Sequence, residues 1–196
     1  MLVFKLVVMS YFKTDYKEKI NIYCNKEVSE SISKLLSAVF PEELCNILKN
    51  NIIIHVLKDG ETISIAGEEI TFFDALSKSN DLYGFETILK SGKKLVFLGD
   101  EICNPILYGR IKDADYVMHE AFCMDSEQSV PQIVKEHHST VKSVCEIMEP
   151  LNIKNLIIYH TEDSHKDKKK LYTKEAKQYF SNNVIVPNDL DVIDLD

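Results

Sequence analysis

Four short segments of this sequence carry titratable side chains at the boundaries of apolar stretches. Strand ends on a rigid scaffold commonly present functional side chains, so chemistry is expected at such boundaries. The segments are Gly99-Asp100, His119-Glu120, His138-Ser139-Thr140 and the single histidine His160. Aspartate, glutamate and histidine supply the oxygen and nitrogen ligands that suit zinc or manganese, and the same groups move protons. Together the segments predict a metal site or an acid–base site.

The two acidic segments follow predicted strands. Asp100 comes after the apolar residues 95–98, which places its carboxylate to coordinate a cation or to orient a base. Glu120, with His119 before it, comes after residues 116–118 and fits an acid–base pair or a metal site. The plainer alternatives are a turn aspartate and a polar strand end.

The two histidines occupy different kinds of boundary. His138 stands at the start of a predicted helix, where the helix dipole disfavours its cationic form. A neutral imidazole at pH 7 suits metal ligation or proton transfer. His160 ends the apolar residues 155–159 and precedes Glu162 and Asp163. The alternatives are an exposed helix cap for His138 and a surface loop for His160.

The elements that position the first of these residues are mostly strands. Alternating polar and apolar residues predict strands, and apolar residues three and four apart predict helices. Residues 58–61 carry a hairpin-type turn signal, so residues 52–98 are predicted to form a meander of antiparallel strands. Helices are predicted over 27–40 and from Pro41 onward, and strands over 19–24, 52–57, 62–65, 69–73, 85–89 and 94–98.

After Gly99 the pattern changes to alternating strands and helices. A helix over 139–151, capped by Ser139 or Thr140, presents Val141, Val144, Cys145 and Met148 on one face. The other predicted elements are helices over 106–111 and 166–180 and strands over 116–118, 155–159, 184–186 and 190–193. This order predicts a mixed α/β (α+β) fold, either a sheet sandwich with helices outside or a layered fold.

Composition excludes several classes of protein. The chain has 196 residues, 45% of them hydrophobic and 28% charged, which predicts one globular domain over residues 1–196. No apolar stretch is long enough for a membrane span. Five cysteines without a CxxC pair indicate reduced thiols and a cytoplasmic protein. The apolar residues 1–9 are interpreted as a core element rather than a signal peptide.

Charge and missing motifs narrow the function further. The net charge of −8 does not favour nucleic acid as a partner, and the lysines of 166–170 are interpreted as a solvated helix face. Neither a glycine-rich phosphate loop nor a GxSxG nucleophile elbow occurs. His55 is interpreted as a hydrogen-bonded strand residue rather than a ligand.

The ordered set of motifs resembles the metallo-β-lactamase-fold hydrolases, and within them the ribonuclease Z-like branch. Gly99-Asp100 resembles the GD motif, and His160 resembles the last strand-end histidine ligand. Residues 119–122 are similar to the HEAT motif, and His138-Ser139-Thr140 matches the HST motif. The resemblance implies an αββα sandwich with Asp100 and His160 as metal ligands. It also implies that Glu120 and His138 form a proton-handling pair.

Two departures from that family limit the prediction. The HxHxDH motif, which supplies most ligands of a two-zinc or two-manganese site, is absent from the sequence, so the fold is expected to be N-terminally incomplete. No histidine stands near residues 73–79, where Asp74 is the only coordinating side chain and its role stays open. With Asp100, His160 and either His138 or Asp74, the chain is expected to bind metal weakly or not at all.

The resulting prediction is a metal-dependent hydrolase, specifically a phosphodiesterase of ribonuclease Z type. Transfer RNA or another RNA is not favoured as substrate by the net charge. One alternative is a non-catalytic remnant that associates with a second copy through an exposed sheet edge, as a homo-oligomer. A lactonase or other ester-cleaving enzyme is the weaker alternative.

Overall fold

The computed structural model describes residues 19–77, 82–127, 138–162 and 166–195. These residues divide into two compact units, one ending at Lys58 and the other beginning at Asp59. The single domain over residues 1–196 stays a prediction. The predicted core element over residues 1–9 lies outside the described residues.

The first unit is a parallel strand pair with two helices between the strands. Strand β1 is Ile20–Cys24, helix α1 is Lys26–Val39, helix α2 is Glu42–Asn51 and strand β2 is Ile52–Val56. The strands pair in register from Ile20 with Ile52 to Cys24 with Val56. Parallel neighbours need a long crossover, which the two helices provide. The Asn25 side chain begins α1 by accepting the Val28 N–H at 2.8 Å.

The predicted meander is therefore wrong at its first strand. β2 pairs with β1, so the antiparallel strands begin at Thr62 rather than at Ile52. Residues 58–61, predicted as a hairpin turn, instead lead into the strand that begins at Thr62. Gly60 N–H donates to the Phe72 carbonyl at 2.9 Å. Phe72 N–H donates to the Glu61 carbonyl at the same distance. These bonds extend the pairing of the next two strands.

The second unit is built on a seven-stranded sheet in the order β3-β4-β5-β6-β7-β8-β9. Strands β3 to β6 pair antiparallel, and β6 to β9 pair parallel. This confirms the mixed α/β class and the meander from 62 onward. The strands are β3 Thr62–Ile65, β4 Glu68–Asp74, β5 Tyr83–Ile88, β6 Lys94–Phe97, β7 Tyr116–Glu120, β8 Asn155–Tyr159 and β9 Asn183–Ile185.

Helices pack over the parallel half of this sheet. Helix α3 is Tyr108–Ile111, α4 is Val141–Met148 and α5 is Lys168–Ala176, with 3-10 turns at Pro105–Leu107 and Glu149–Leu151. Thr140, not Ser139, caps α4, and it exchanges side-chain-to-backbone hydrogen bonds with Ser143. The four residues predicted for the apolar face of α4 are all buried: Val141, Val144, Cys145 and Met148.

The C-terminal tail departs from the prediction. The residues expected to form a strand over 190–193 do not form one, and Leu190 and Val192 are 100% and 96% exposed. The Asp191 carboxylate accepts the Asn188 N–H at 3.0 Å, and such local bonds compete with strand pairing. Helix α5 is also shorter than the predicted 166–180.

The cysteines are unpaired, as predicted, and Cys24, Cys103, Cys123 and Cys145 are buried. No helix among the described residues has the length and apolar content needed to cross a membrane.

Candidate active site

Three neighbouring parallel strands end at the same edge of the sheet and bring three of the predicted residues there. Asp100 lies three residues beyond β6, Glu120 is the last residue of β7, and His160 directly follows β8. His138 joins them from the segment that precedes α4. One ligand atom from each of these four side chains lies within 4.8 Å of the others.

Asp100 is the centre of this cluster. Its Oδ1 lies 2.7 Å from His160 Nδ1 and 3.4 Å from His138 Nδ1. His138 Nδ1 also lies 3.7 Å from Glu120 Oε2. Asp100 and His160 are 47% and 41% exposed, whereas Glu120 is fully buried. Glu120 thus lies on the buried side of the cluster, whereas Asp100 and His160 are accessible to solvent.

The His138-Ser139-Thr140 segment is held against the end of β7 by backbone hydrogen bonds. Phe122 N–H donates to the Ser139 carbonyl at 3.0 Å, and Val141 N–H donates to the Cys123 carbonyl at 3.0 Å. Ser139 N–H donates to Glu120 Oε1 at 2.5 Å. These backbone hydrogen bonds therefore position the side chain of His138 next to Glu120.

Glu120 is an ionisable group in an apolar setting. Burial raises the pKa of its carboxyl to about 7, assisted by the charge of Asp100 and opposed by the Ser139 hydrogen bonds. Within the described residues its Oε2 has no hydrogen-bond partner, and neither has His138 Nδ1. Buried polar atoms without a partner are uncommon in folded proteins and often mark a functional site.

His119 does not share this site. Successive side chains of a strand point to opposite faces, so His119 and Glu120 diverge and do not form one acid–base pair. His119 is fully buried, and its Nδ1 lies 2.6 Å from the Glu120 carbonyl oxygen. Burial lowers the pKa of the His119 imidazole to about 4.

Two aromatic residues at the site, Phe122 and Tyr159, were not predicted from the sequence. The ring of Phe122 stacks on His138 with centroids 5.1 Å apart and meets His160 edge-on at 5.9 Å. The Tyr159 hydroxyl donates to the Gly99 carbonyl and so links the ends of β8 and β6. Their position next to predicted ligands is the signal that could have found them.

The remaining candidates lie apart from the cluster. The carboxylate of Asp74 accepts the Leu76 N–H at 2.7 Å and closes a local turn, so its open role is not metal ligation with the cluster. His55 Nε2 lies 2.8 Å from the Asn21 side-chain oxygen, which fits the strand-residue interpretation. Asp163 lies outside the described residues.

The cluster has the chemistry of a transition-metal site. Asp100 and His160 offer an oxygen and a nitrogen donor of the kinds that zinc and manganese accept, next to a second carboxylate and a second imidazole. The described donors are fewer than a two-metal centre requires.

Comparison with known proteins agrees with this geometry. A family model described as the beta-lactamase superfamily domain matches residues 8–161, which is more than half of the chain. The chain belongs to the beta-lactamase superfamily. Ribonuclease Z of Myxococcus xanthus is 30% identical over 115 residues, covering 58% of this chain and 36% of that protein. The chain thus spans less than half the length of the curated relatives it matches.

Solved structures show the fold of this beta-lactamase superfamily member. The metallo-β-lactamase fold protein YhfI of Bacillus subtilis has a TM-score of 0.70 at 16% identity, covering 95% of this chain and 69% of YhfI. The short form of human tRNase Z has a TM-score of 0.64 at 18% identity, covering 97% and 72%. The predicted metallo-β-lactamase fold and the resemblance to the ribonuclease Z-like branch are confirmed.

Proposed function

We propose that this protein is a zinc- or manganese-dependent phosphodiesterase that cleaves RNA in the manner of ribonuclease Z. The observation that carries the proposal is the convergence of Asp100, Glu120, His138 and His160 at one edge of the sheet. The ribonuclease Z relatives and the tRNase Z fold support the same reaction class. The unpaired cysteines support a cytoplasmic location.

Asp100 and His160 would hold the ion. Asp100 Oδ1 and His160 Nδ1 lie 2.7 Å apart, and both side chains are accessible to solvent. A bound ion supplies Lewis-acid activation of water and of the phosphoryl group. His138 and Glu120 remain for proton handling, because Glu120 is fully buried and its Oε2 lies 3.7 Å from His138 Nδ1.

The proton step uses the chain's own residues. The imidazolium of His138 donates a proton to the leaving ribose oxygen as the P–O bond breaks. Glu120, 3.7 Å from His138 Nδ1, stabilises the imidazolium before the transfer and orients the ring. The stack of Phe122 fixes the ring plane.

The arrangement disfavours the non-catalytic alternative, because a buried carboxyl without a full set of partners is costly to keep unless it is used. Association with a second copy stays a prediction.

The test measures metal content and turnover separately after reconstitution with zinc or with manganese. His138→Ala should keep the wild-type metal content while turnover of a chromogenic phosphodiester falls about 100-fold or more. Asp100→Ala and His160→Ala should lose metal and turnover together. Unchanged turnover in His138→Ala, or hydrolysis of lactone esters but not of phosphodiesters, would contradict the proposal.

A further inference from the structure

A groove of about 630 Å³ lies along the exposed face of α5, and cationic side chains dominate its lining. Thr173 and Asn188 add a hydroxyl and an amide to that lining, and Asp167 adds one carboxylate. The cationic side chains, which together define the lysine groove, are Lys166, Lys169, Lys170, Lys174 and Lys177.

The lysine groove is a basic surface on a protein whose net charge is −8. The chain carries 23 basic and 31 acidic side chains, yet five lysines share this one surface. Lys169 Nζ lies 3.3 Å from Asp191 Oδ2. In the part of the chain that the structure describes, no carboxylate pairs with Lys170, Lys174 or Lys177. Those cations are available to an anionic ligand.

The other side chains of α5 are turned away from the groove. Tyr172 and Ala176 are fully buried in the core beneath the helix. The carboxylate of Glu175 accepts the Asp125 N–H at 2.9 Å, outside the groove lining. A helix that binds a membrane surface needs an exposed apolar face, which α5 lacks. The surface therefore suits a polar polyanion better than a bilayer.

Helix α5, which carries most of the lysine groove, is hydrogen-bonded to Phe122 of the candidate active site. The hydroxyl of Tyr172, on the buried face of α5, donates to the Phe122 carbonyl at 2.7 Å. Glu162 N–H donates to the same carbonyl at 2.7 Å, just after His160. The ring of Phe122 stacks on His138. One residue thus connects the helix that carries the lysines to the cluster proposed to cleave phosphodiesters.

We propose that the lysine groove binds the phosphodiester backbone of an RNA strand. The inference rests on the proposed function for the reaction, but the binding itself depends only on charge and placement. The lysines lie on and directly beside helix α5, whose nine residues span about 13 Å along the helix axis, which is enough for several phosphates. Phosphate contacts of this kind position a strand without reading its sequence.

The experiment compares two triple variants that remove equal charge. K170E/K174E/K177E changes the groove, and K34E/K90E/K112E changes three exposed lysines elsewhere. Anisotropy of a fluorescent single-stranded RNA is measured from 50 to 300 mM salt without added metal, with RNA integrity checked on a gel. Thermal unfolding checks that both variants fold, and K170Q/K174Q/K177Q removes charge without adding acid.

The groove variants should weaken RNA binding about tenfold or more and flatten the salt dependence by about two units of slope, since each single-strand contact contributes about 0.7. The control triple should stay near wild type, and turnover of a chromogenic phosphodiester should not change in either triple. Equal loss in both triples, no binding by the wild type, or binding of anionic vesicles but not RNA would overturn the inference. Absence of chromogenic turnover in the wild-type protein, with RNA binding intact, would overturn only the proposed function.

Discussion

The hydroxyl of Tyr159 donates a hydrogen bond to the carbonyl of Gly99, and each of these residues stands one position before a proposed metal ligand. His160 follows Tyr159, and Asp100 follows Gly99. The bond therefore sets the separation of two ligands that come from strands on either side of β7. Such supporting contacts hold ligands in place before an ion arrives.

Removing this hydroxyl should weaken metal binding more than it weakens the fold. Tyr159→Phe leaves the Gly99 carbonyl without its donor, and because this bond supports the ligands only through the backbone, we expect zinc affinity to fall about tenfold, the low end for lost outer-shell contacts. The measurement is a zinc competition titration with a chromophoric chelator. Tyr179→Phe, which removes a hydroxyl from a partly buried tyrosine of the same unit, is the control. Equal affinities of wild type and Tyr159→Phe would contradict the prediction.

Much of the site could be predicted from the sequence because strand ends are local features. Asp100 and His160 follow apolar residues that form β6 and β8 almost as predicted. Glu120 was placed after its strand, whereas β7 extends to include it. That difference matters because, within a strand, the adjacent side chains of His119 and Glu120 point to opposite faces of the sheet.

What could not be predicted depends on pairing between distant segments. The apolar residues of β2 suit either a parallel or an antiparallel partner, and only the long crossover from β1 decides between them. The ring of Phe122 gains its role from His138, sixteen residues later. The residues 190–193 have a strand-like pattern, but Asp191 bonds locally instead of to a neighbouring strand. Sequence periodicity does not report such contacts.

The stack of Phe122 on His138 should hold the imidazole in its working orientation. Phe122→Leu keeps an apolar side chain but removes the ring, so we expect kcat for a phosphodiester to fall about tenfold from lost orientation, with metal content unchanged. The ring protons of His138 should move downfield in the NMR spectrum when the aromatic neighbour is removed. A kcat change without that spectral shift would contradict a positioning role.

The ionised carboxylate of Asp115 should contribute to the free energy of unfolding at neutral pH, and this contribution should be lost in acid. The Lys154 side chain donates to it at 2.5 Å and the Lys94 N–H donates at 2.8 Å, and these bonds lower the pKa of the Asp115 carboxyl. A lowered pKa stabilises the fold at pH values above the ordinary aspartate range and is lost as pH falls through the folded pKa. Asp115→Asn should therefore lower the free energy of unfolding at pH 7 by about 1 kcal/mol.

The same variant should approach wild type in stability as the pH falls below the ordinary aspartate range, because Asp115 becomes protonated in the folded protein there. Urea unfolding at pH 7, 5, 4 and 3 measures the difference, and Asp189→Asn on the exposed surface is the control. A difference that stays constant over this range would show that the Asp115 contribution is not electrostatic.

Replacing Gly99 should lower the free energy of unfolding for two separable reasons. Its φ of +77° is strained for any side chain, and an added Cβ would lie 2.9 Å from Leu82 Cδ2. Gly67 has a φ of +87° but no atom within 4 Å of the added Cβ, so Gly67→Ala measures the strain alone. We expect Gly67→Ala to cost about 1 kcal/mol of unfolding free energy and Gly99→Ala about 1–3 kcal/mol more, because overpacking adds to strain. Gly99→Ala should cost less unfolding free energy in a Leu82→Ala background than in wild type, and an equal cost in both backgrounds would mean that the clash is not with Leu82. Because Gly99 precedes Asp100, the excess should also appear as weaker zinc binding in the competition titration.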